Sequence, residues 1–305
     1  MSIPTSRTKE KAGIFIDTSK CIGCGNCVAV CKDFSLEIRD SKCCLSEHPF
    51  FGCIACGHCM CICQQDAIII EGRFTSRDQL FALPKKENAA DYSALLQLLQ
   101  RRRSMREFKD KAVEKEMIEK IISAASQSPM GIPPSDVSIL VFDSKEKVNR
   151  FSIDYCFYLA NYKWMVSNWF LGLMRPFWGN SNDQLFRKFV KPLIYGLSES
   201  AEKGENFFTY DAPLAMYFYG SPFTDPADPL IAATYAMIAA ESLGIGTCMI
   251  GSFHPMIQFG KKGRKFREKY NIRFKSREGL IVIFGYPGVK YKYGINRDFA
   301  NIDWN

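Results

Sequence analysis

The stretch Cys21-Ile-Gly-Cys-Gly-Asn-Cys-Val-Ala-Val-Cys31 places four cysteines within eleven residues. A second stretch, Cys53-Ile-Ala-Cys-Gly-His-Cys-Met-Cys-Ile-Cys63, repeats the spacing and adds Cys61. Eleven of the thirteen cysteines in this 305-residue chain lie between Cys21 and Cys63. A secreted disulfide scaffold would not be followed by so long a stretch with only two cysteines. Clustered cysteines in a reducing compartment are more typical of metal ligands.

The spacing C-x2-C-x2-C-x3-C occurs in both stretches. Three cysteines on a tight loop can bind three irons of one [4Fe–4S] cluster, while the fourth points away and can bind the other cluster. The predicted ligand sets therefore cross over: Cys21, Cys24, Cys27 and Cys63 for the first cluster, and Cys53, Cys56, Cys59 and Cys31 for the second. Zinc is the alternative, although a zinc site typically uses two separated C-x2-C pairs.

From about residue 12 to residue 72 the sequence resembles a bacterial-type two-cluster ferredoxin. The apolar runs at 14–17 and 67–70 match the short strands that frame the clusters in that family. Lys32 and Gln64 stand where the family usually has proline. Cys61 could compete with Cys63 for an iron, and we expect Cys61, Cys43 and Cys44 to be small buried side chains or spare thiols.

The rest of the chain predicts a second, larger domain. We predict a ferredoxin domain at 1–72, a linker at 73–91 and a large domain at 92–305. Apolar periodicity predicts helices at 95–103, 115–126 and 229–243, and buried strands at 137–142, 213–219 and 280–284. Alternating helices and strands indicate an α/β or α+β fold. No G-x-G-x-x-G follows a strand, so a Rossmann nucleotide site is not indicated.

The stretch Arg101-Arg-Arg-Ser-Met-Arg-Glu-Phe108 lies where the first of these helices should end. Guanidinium forks and a serine hydroxyl can together bind a phosphate. Further along come Ser128-Pro129, Asp211-Ala-Pro213, Leu243-Gly-Ile-Gly-Thr-Cys-Met-Ile-Gly-Ser-Phe253, Gly285-Tyr-Pro287 and Arg297. In this order and spacing, residues 91–302 resemble the nitroreductase family of FMN proteins.

The resemblance implies an α+β protein in which a small ferredoxin-like domain precedes an FMN-binding α/β sandwich. It implies contacts from three stretches and the tail to the flavin. The predicted FMN phosphate and ribityl contacts are Arg102, Arg103, Ser104, Arg106 and Arg297. The predicted ring contacts are Pro129, Met130 and Gly131 on one side, and Met249, Ile250, Gly251 and Ser252 along the other edge. The family is homodimeric, with the flavin at the interface and the C-terminal tail wrapped around the partner.

The chain departs from the family around the flavin ring, where substrate choice is set. Met130-Gly-Ile-Pro-Pro-Ser-Asp136 replaces the usual Asn and Gln-Pro-Trp, and Ile295 replaces a common lysine. Twelve aromatic residues at 155–195 predict either an apolar lid over the flavin or a packing face. His254 is a possible proton donor or a surface histidine. No side chain is assigned as the catalytic acid.

The two resemblances together predict an iron–sulfur flavoprotein oxidoreductase. Electrons from a low-potential donor such as ferredoxin would pass through two [4Fe–4S] clusters to FMN, which would reduce a planar, electron-poor small molecule such as a nitroaromatic, quinone or activated alkene. In the alternative, NAD(P)H reduces the flavin and the clusters carry electrons outward. The non-enzymatic alternative is an iron–sulfur redox sensor that binds nucleic acid through arginines 101–103, but no DNA-binding element is visible.

Composition sets further expectations. The formal charge of +8 counts the cysteines as neutral, so two anionic clusters and a flavin phosphate would absorb most of it. The basic excess is therefore weak support for a nucleic-acid partner. We see neither a secretory h-region nor an apolar run long enough to span a bilayer. A cytoplasmic protein is expected.

Overall fold

The structure, a computed structural model, describes residues 3–304. Residues 1, 2 and 305, the outermost residues of the two predicted domains, lie outside the described residues. The cysteine-rich N-terminal part contains four strands and two short helices. Their bounds are β1 Gly13–Ile16, α1 Asn26–Val30, β2 Leu36–Arg39, β3 Lys42–Leu45, α2 His58–Ile62 and β4 Ile68–Glu71.

Two antiparallel strand pairs frame the cysteines. β1 pairs with β4, which joins the two ends of the cysteine-rich part, and β2 pairs with β3. The strands predicted at 14–17 and 67–70 are confirmed within one residue. Both helices begin after a glycine with positive φ, 78° at Gly25 and 74° at Gly57, a conformation in which most other residues are strained. Each glycine lies between the second and third cysteines of its motif.

The segment predicted as a linker is exposed from residue 77 to its end at residue 91 and contains two short 3-10 turns, Arg77–Gln79 and Lys86–Asn88. Its first residue does not behave as a linker. Arg73 is fully buried, because its guanidinium group bonds to backbone carbonyls of both parts of the chain. Arg73 therefore packs between the two parts of the chain, and the linker bounds 73–91 stay a prediction.

The larger domain combines eight helices with a four-stranded sheet. The helices are α3 Tyr92–Arg101, α4 Lys115–Ala125, α5 Lys145–Ala160, α6 Asn168–Leu185, α7 Lys191–Glu202, α8 Asp228–Ser242, α9 Phe253–Ile257 and α10 Gly260–Lys269. The strands are β5 Val137–Phe142, β6 Leu214–Gly220, β7 Gly246–Ile250 and β8 Gly279–Gly285. The three helices and three strands predicted from periodicity are confirmed, with ends shifted by a few residues.

The sheet has the order β5-β6-β8-β7, and every neighbouring pair is antiparallel. Both of its faces are covered, so β6 and β8 are buried along their whole length. Alternate residues of β6 serve opposite faces, as strand geometry requires. Ala215, Tyr217 and Tyr219 pack with α5, α9 and α10. Leu214, Met216 and Phe218 pack with α4 and the alanine-rich face of α8.

The aromatic stretch at 155–195 runs from the end of α5 through α6 into the start of α7. Tyr155 and Tyr158 pack in the sheet-facing core, whereas Trp164, Trp169 and Phe177 are exposed. α6 is interrupted at Gly179, whose φ of 77° is not helical, and Trp178 stacks on Phe186 with centroids 4.7 Å apart. The packing interpretation therefore holds for the first two tyrosines. Both interpretations stay open for the exposed aromatics.

Candidate cluster and flavin sites

The first predicted thiol set lines one cavity. Cys21, Cys24, Cys27 and Cys63 surround a space of about 60 Å³ between the two cysteine motifs. Backbone N–H groups point at two of the sulfurs: Cys43 N–H donates to Cys21 Sγ at 3.3 Å and Ala67 N–H to Cys63 Sγ at 3.2 Å. The backbone N–H groups of Cys43 and Gly23 lower the pKa of Cys21. These features suit a thiolate ligand, which is stabilised by N–H donors.

The thiols of the second predicted set lie close to one another. Burial, together with the neighbouring thiols of Cys53, Cys56 and Cys31, raises the pKa of the Cys59 thiol to about 12. Cys31 also lies close enough to Cys53 to raise the pKa of that thiol. The fourth cysteine of the first motif has therefore joined the second set, in the crossover that the spacing predicts. Metal ligation by either set stays a prediction.

The three additional cysteines differ in their environments. Cys43 is buried beside the first set, with its Sγ 3.4 Å from Cys27 Sγ. Cys44 is half-buried, and Cys61 is exposed. Cys61 does not line the first cavity, whereas Cys63 does, which favours Cys63 as the ligand.

No group of three or more histidine, cysteine, aspartate or glutamate side chains in residues 3–304 converges closely enough to hold a single metal ion. The thiolates of a four-iron cluster bind four different irons, so they need not converge on one point.

A group of arginines forms where α3 ends. Burial lowers the pKa of Arg102, and the nearby charges of Arg297 and Arg103 lower it further. The tail folds over this group, since the backbone of Gly294 lies against the Arg103 guanidinium and Tyr291 Oη donates to the Ser104 carbonyl at 3.4 Å. Three positive charges held this close favour an anion between them.

The arginine group is anchored to the sheet through β7. Met105 N–H donates to the Thr247 carbonyl at 2.8 Å, and Ser104 forms a parallel bridge to the same residue. The Thr247 hydroxyl is buried and has no hydrogen-bond partner within the described residues. A buried polar atom without a partner, next to the arginine stretch in the sheet, fits a polar ligand there. Thr247 is not among the predicted contacts, although it lies two residues before the predicted flavin-edge stretch that begins at Met249.

Arg106 does not join this group. It is exposed, and its guanidinium carbon lies 6.0 Å from the centroid of the Tyr210 ring. A large open cleft of about 1020 Å³ lies between the arginine stretch and the tail, bordered by Arg101, Arg103, Lys290 and Lys292.

The residues predicted to contact the flavin ring lie on two exposed turns. Pro129, Met130 and Gly131 form the first, and Gly131 N–H donates to both carboxylate oxygens of Asp228, each at 3.2 Å. Burial raises the pKa of Asp228. Met249, Ile250, Gly251 and Ser252 lie at the end of β7, where Tyr155 Oη donates to the Ser252 carbonyl at 3.0 Å. Both turns are thus held by buried side chains behind them.

Comparison with known proteins assigns the family. A model described as the nitroreductase family matches residues 99–286, more than half of the chain. The chain belongs to the nitroreductase family. It is therefore an oxidoreductase, and a 4Fe–4S binding domain model matches residues 12–33 of its N-terminal module. The fold is thus nitroreductase-like with a ferredoxin-type domain before it.

Solved structures agree with this fold. A nitroreductase with bound FMN from Bacteroides fragilis is 16% identical, covers 69% of this chain and 98% of its own, and has a TM-score of 0.51. A nitroreductase with bound FMN from Desulfitobacterium hafniense is 20% identical, covers 69% of this chain and 97% of its own, and has a TM-score of 0.50. No curated protein matches the chain.

The ferredoxin-type module contacts the nitroreductase domain next to the Pro129 turn. Ser6 donates through its N–H and its hydroxyl to the Asp136 carboxylate, both at 2.7 Å, and Arg7 Nη1 donates to the Ser135 carbonyl at 3.1 Å. Arg73 Nη2 donates to the Pro133 carbonyl at 2.7 Å. All three contacts fall within residues 133–136, immediately after the predicted ring contacts.

His254 is not a surface residue of the nitroreductase domain. It is buried, with Nδ1 2.8 Å from Tyr217 Oη and Nε2 3.2 Å from the Arg277 carbonyl oxygen. Burial lowers the pKa of His254. Both ring nitrogens have partners inside the protein, so the surface interpretation is wrong and the ring stabilises the packing of α9.

No helix in residues 3–304 has the length and apolar character needed to cross a membrane.

Proposed function

We propose that this nitroreductase-family protein binds FMN and two [4Fe–4S] clusters and uses the clusters to reduce the flavin. When bound, the clusters transfer single electrons and FMN passes electron pairs to a substrate as hydride. The observation that carries the proposal is the contact of the ferredoxin-type module with residues 133–136. The module abuts the stretch that continues directly from the predicted ring contacts, so the clusters and the flavin would lie on adjoining surfaces.

The residues present fit FMN. The clustered charges of Arg102, Arg103 and Arg297 suit its phosphate, and the buried Thr247 hydroxyl lacks a partner that a polar ligand would supply. Structurally similar proteins from B. fragilis and D. hafniense were solved with FMN bound. Arg106 is a weaker candidate because it lies over Tyr210.

The residues present also fit two clusters. Each thiol set contains three cysteines of one motif and the fourth cysteine of the other, as in two-cluster ferredoxins. The domain match at 12–33 covers the first motif only, so the second cluster rests on the proximity of Cys31 to Cys53, Cys56 and Cys59.

The protein itself would position the flavin, exclude water and provide a pocket for the substrate. The exposed aromatics Trp164, Trp169 and Phe177 are candidates for covering a flat, electron-poor molecule such as a nitroaromatic, quinone or activated alkene. We propose that the active form is a homodimer and that a low-potential one-electron donor such as ferredoxin supplies the electrons.

The test is anaerobic purification followed by reduction with two different donors. We expect about eight irons per chain from two four-iron clusters, together with FMN. Reduced ferredoxin should bleach the flavin absorbance, whereas NAD(P)H alone should not. Bleaching by NAD(P)H alone would instead favour a nitroreductase whose clusters carry electrons outward. Absence of bound flavin would refute the assignment of the arginine group.

A further inference from the structure

The two cysteine motifs are near-copies in sequence, but the fold places them in different surroundings. Ile22, between the first two cysteines of the first motif, is 66% exposed. In the second motif the matching residue, Ile54, is half-buried, and Ala55 beside it is 2% exposed. The loop of the second motif is therefore less accessible to solvent than the loop of the first.

Arg73 explains the difference. Its side chain is fully buried, and its Nε donates to the Ile54 carbonyl, between Cys53 and Cys56, at 3.2 Å. Its Nη2 donates to the Pro133 carbonyl at 2.7 Å. One planar guanidinium group thus joins the loop of the second cysteine motif to the turn that carries the predicted ring contacts.

Neighbouring bonds hold this arrangement in place. Arg73 Nη1 donates to the carbonyls of Ile3 at 2.8 Å and Glu10 at 3.2 Å, and Thr75 Oγ1 donates to the Ala55 carbonyl at 3.0 Å. All four bonds of the guanidinium group go to uncharged backbone oxygens. A buried positive charge is costly without a negative partner. A cluster bound by Cys31, Cys53, Cys56 and Cys59 would carry net negative charge just behind the Ile54 carbonyl.

We propose that the second cluster is the one from which electrons leave for the nitroreductase domain, and that Arg73 is the positioning residue that couples it to the flavin. This inference rests on the proposed function. Each transfer oxidises the second cluster and reduces the flavin by one electron, with electrons supplied from outside by a low-potential one-electron donor. The first cluster, on the exposed loop, accepts them from that donor.

The charge of Arg73 also sets the potential of the second cluster. A nearby positive charge favours the reduced, more negative state, and hydrogen bonds around a cluster tune its potential in the same direction. Arg73→Met removes both the charge and the bonds. Arg73→Lys keeps the charge, but one ammonium group cannot reproduce the planar fork that bonds both loops.

The experiment is a redox titration of the reconstituted full chain, followed by EPR. Cys24→Ala and Cys56→Ala assign the two cluster signals to the first and second motifs. In Arg73→Met, the signal altered by Cys56→Ala should shift to lower potential, while the other signal stays in place. The control is Arg77→Met, because Arg77 is half-exposed and forms a surface ion pair with Asp66, at 3.4 Å. It should shift neither signal.

Stopped-flow reduction with reduced ferredoxin adds the second readout. Flavin bleaching should slow in both Arg73 variants and not in Arg77→Met, while Arg73→Lys should keep the potential of the second cluster near the wild-type value. A shift of the first cluster, or no shift of either, would overturn the inference. If Arg73→Met loses iron, the test rests on Arg73→Lys alone. Flavin bleaching at the wild-type rate in Arg73→Lys would then contradict the coupling.

Failure of the proposed function can be distinguished from failure of this inference by measurements on the wild-type protein. Wild-type protein without FMN, or with flavin reduced by NAD(P)H alone, would refute that function before any variant is made. The potential of the second cluster can still be measured in that case, because the titration requires no electron flow to the flavin.

Discussion

Arg102 is the residue on which the predicted phosphate site depends most. Its guanidinium group is partly buried and lies close to Arg297 and Arg103, so the fold holds like charges together at a cost. Arg101, one position earlier, is exposed and pairs with Glu241 at 3.6 Å. Adjacent arginines thus differ in their surroundings: Arg101 forms an ion pair with Glu241, whereas at Arg102 the burial and the like charges of Arg297 and Arg103 outweigh the attraction of Glu241.

This difference predicts the outcome of a matched pair of substitutions. Arg102→Ala should weaken FMN binding by about 1.5–3 kcal/mol, the usual range for a hydrogen bond to a charged group, which is roughly tenfold or more in Kd. Arg101→Ala should leave the Kd close to the wild-type value. Titration of flavin-free protein with FMN, followed by fluorescence, measures both. Equal losses in the two variants would indicate a general effect of positive charge.

At the scale of single elements, the first turn of α8 supports the Pro129 turn. Asp228 lies at the start of this helix, where the macrodipole favours a negative charge, and accepts the Gly131 N–H with both oxygens. Asp225 also approaches Gly131, but through its Cβ, and its carboxylate accepts from Ala227 N–H instead.

Asp228→Ala should therefore release the Pro129 turn without unfolding the domain. Loss of a charge-assisted bond costs about 1.5–3 kcal/mol locally, so the Gly131 amide should exchange faster with deuterium and FMN should bind more weakly. Asp225→Ala keeps its Cβ against Gly131 and serves as the control. Unchanged exchange at Gly131 in Asp228→Ala would show that other contacts hold the turn.

Several helices and strands, and the grouping of the thiols, could be predicted from the sequence. The helices and strands with clear periodicity were predicted because their apolar residues face one core or lie fully buried in the sheet. The grouping of the thiols was predictable because short spacers keep cysteines of one motif close together. β7 was missed because Gly246–Ile250 is short and directly follows a glycine-containing turn.

Arg73 and His254 could not be predicted for a different reason. The partners of Arg73 are backbone carbonyls of residues 3, 10, 54 and 133, and any residue type can supply a carbonyl. His254 is buried because α9 turns it toward Tyr217, a long-range contact that periodicity does not encode. The predicted ring and phosphate contacts came from the family resemblance, and their flavin contacts stay predictions.

At the scale of the whole molecule, the C-terminal tail is exposed from residue 288 to residue 304. After β8 it contains no helix or strand up to residue 304, and Ile295, Phe299 and Trp304 are each more than 80% exposed. Several large apolar side chains that are exposed in one segment usually mark an interface. A partner protomer that the tail wraps around would cover them.

Phe299→Ser combined with Trp304→Ser should therefore weaken the predicted homodimer while leaving Arg297 in place. Burying a large apolar side chain contributes about 1.5–3 kcal/mol, so the loss of two should shift the protein toward monomers at micromolar concentration. Phe81→Ser is the control, since Phe81 is exposed in the linker. Light scattering during gel filtration gives the mass, and an unchanged mass in the double variant would argue against the wrapped tail.

The contacts between the two domains have one further consequence. The ferredoxin-type module is attached on both sides of its β1–β4 pair, through Ser6 and Arg7 before the first strand and through Arg73 after the last. A carrier domain on a single flexible linker moves between its electron donor and its acceptor, and viscous solvents slow that motion. This module is attached at two points, so under the proposed function electrons would cross a fixed distance, and added glycerol should leave the internal transfer rate unchanged.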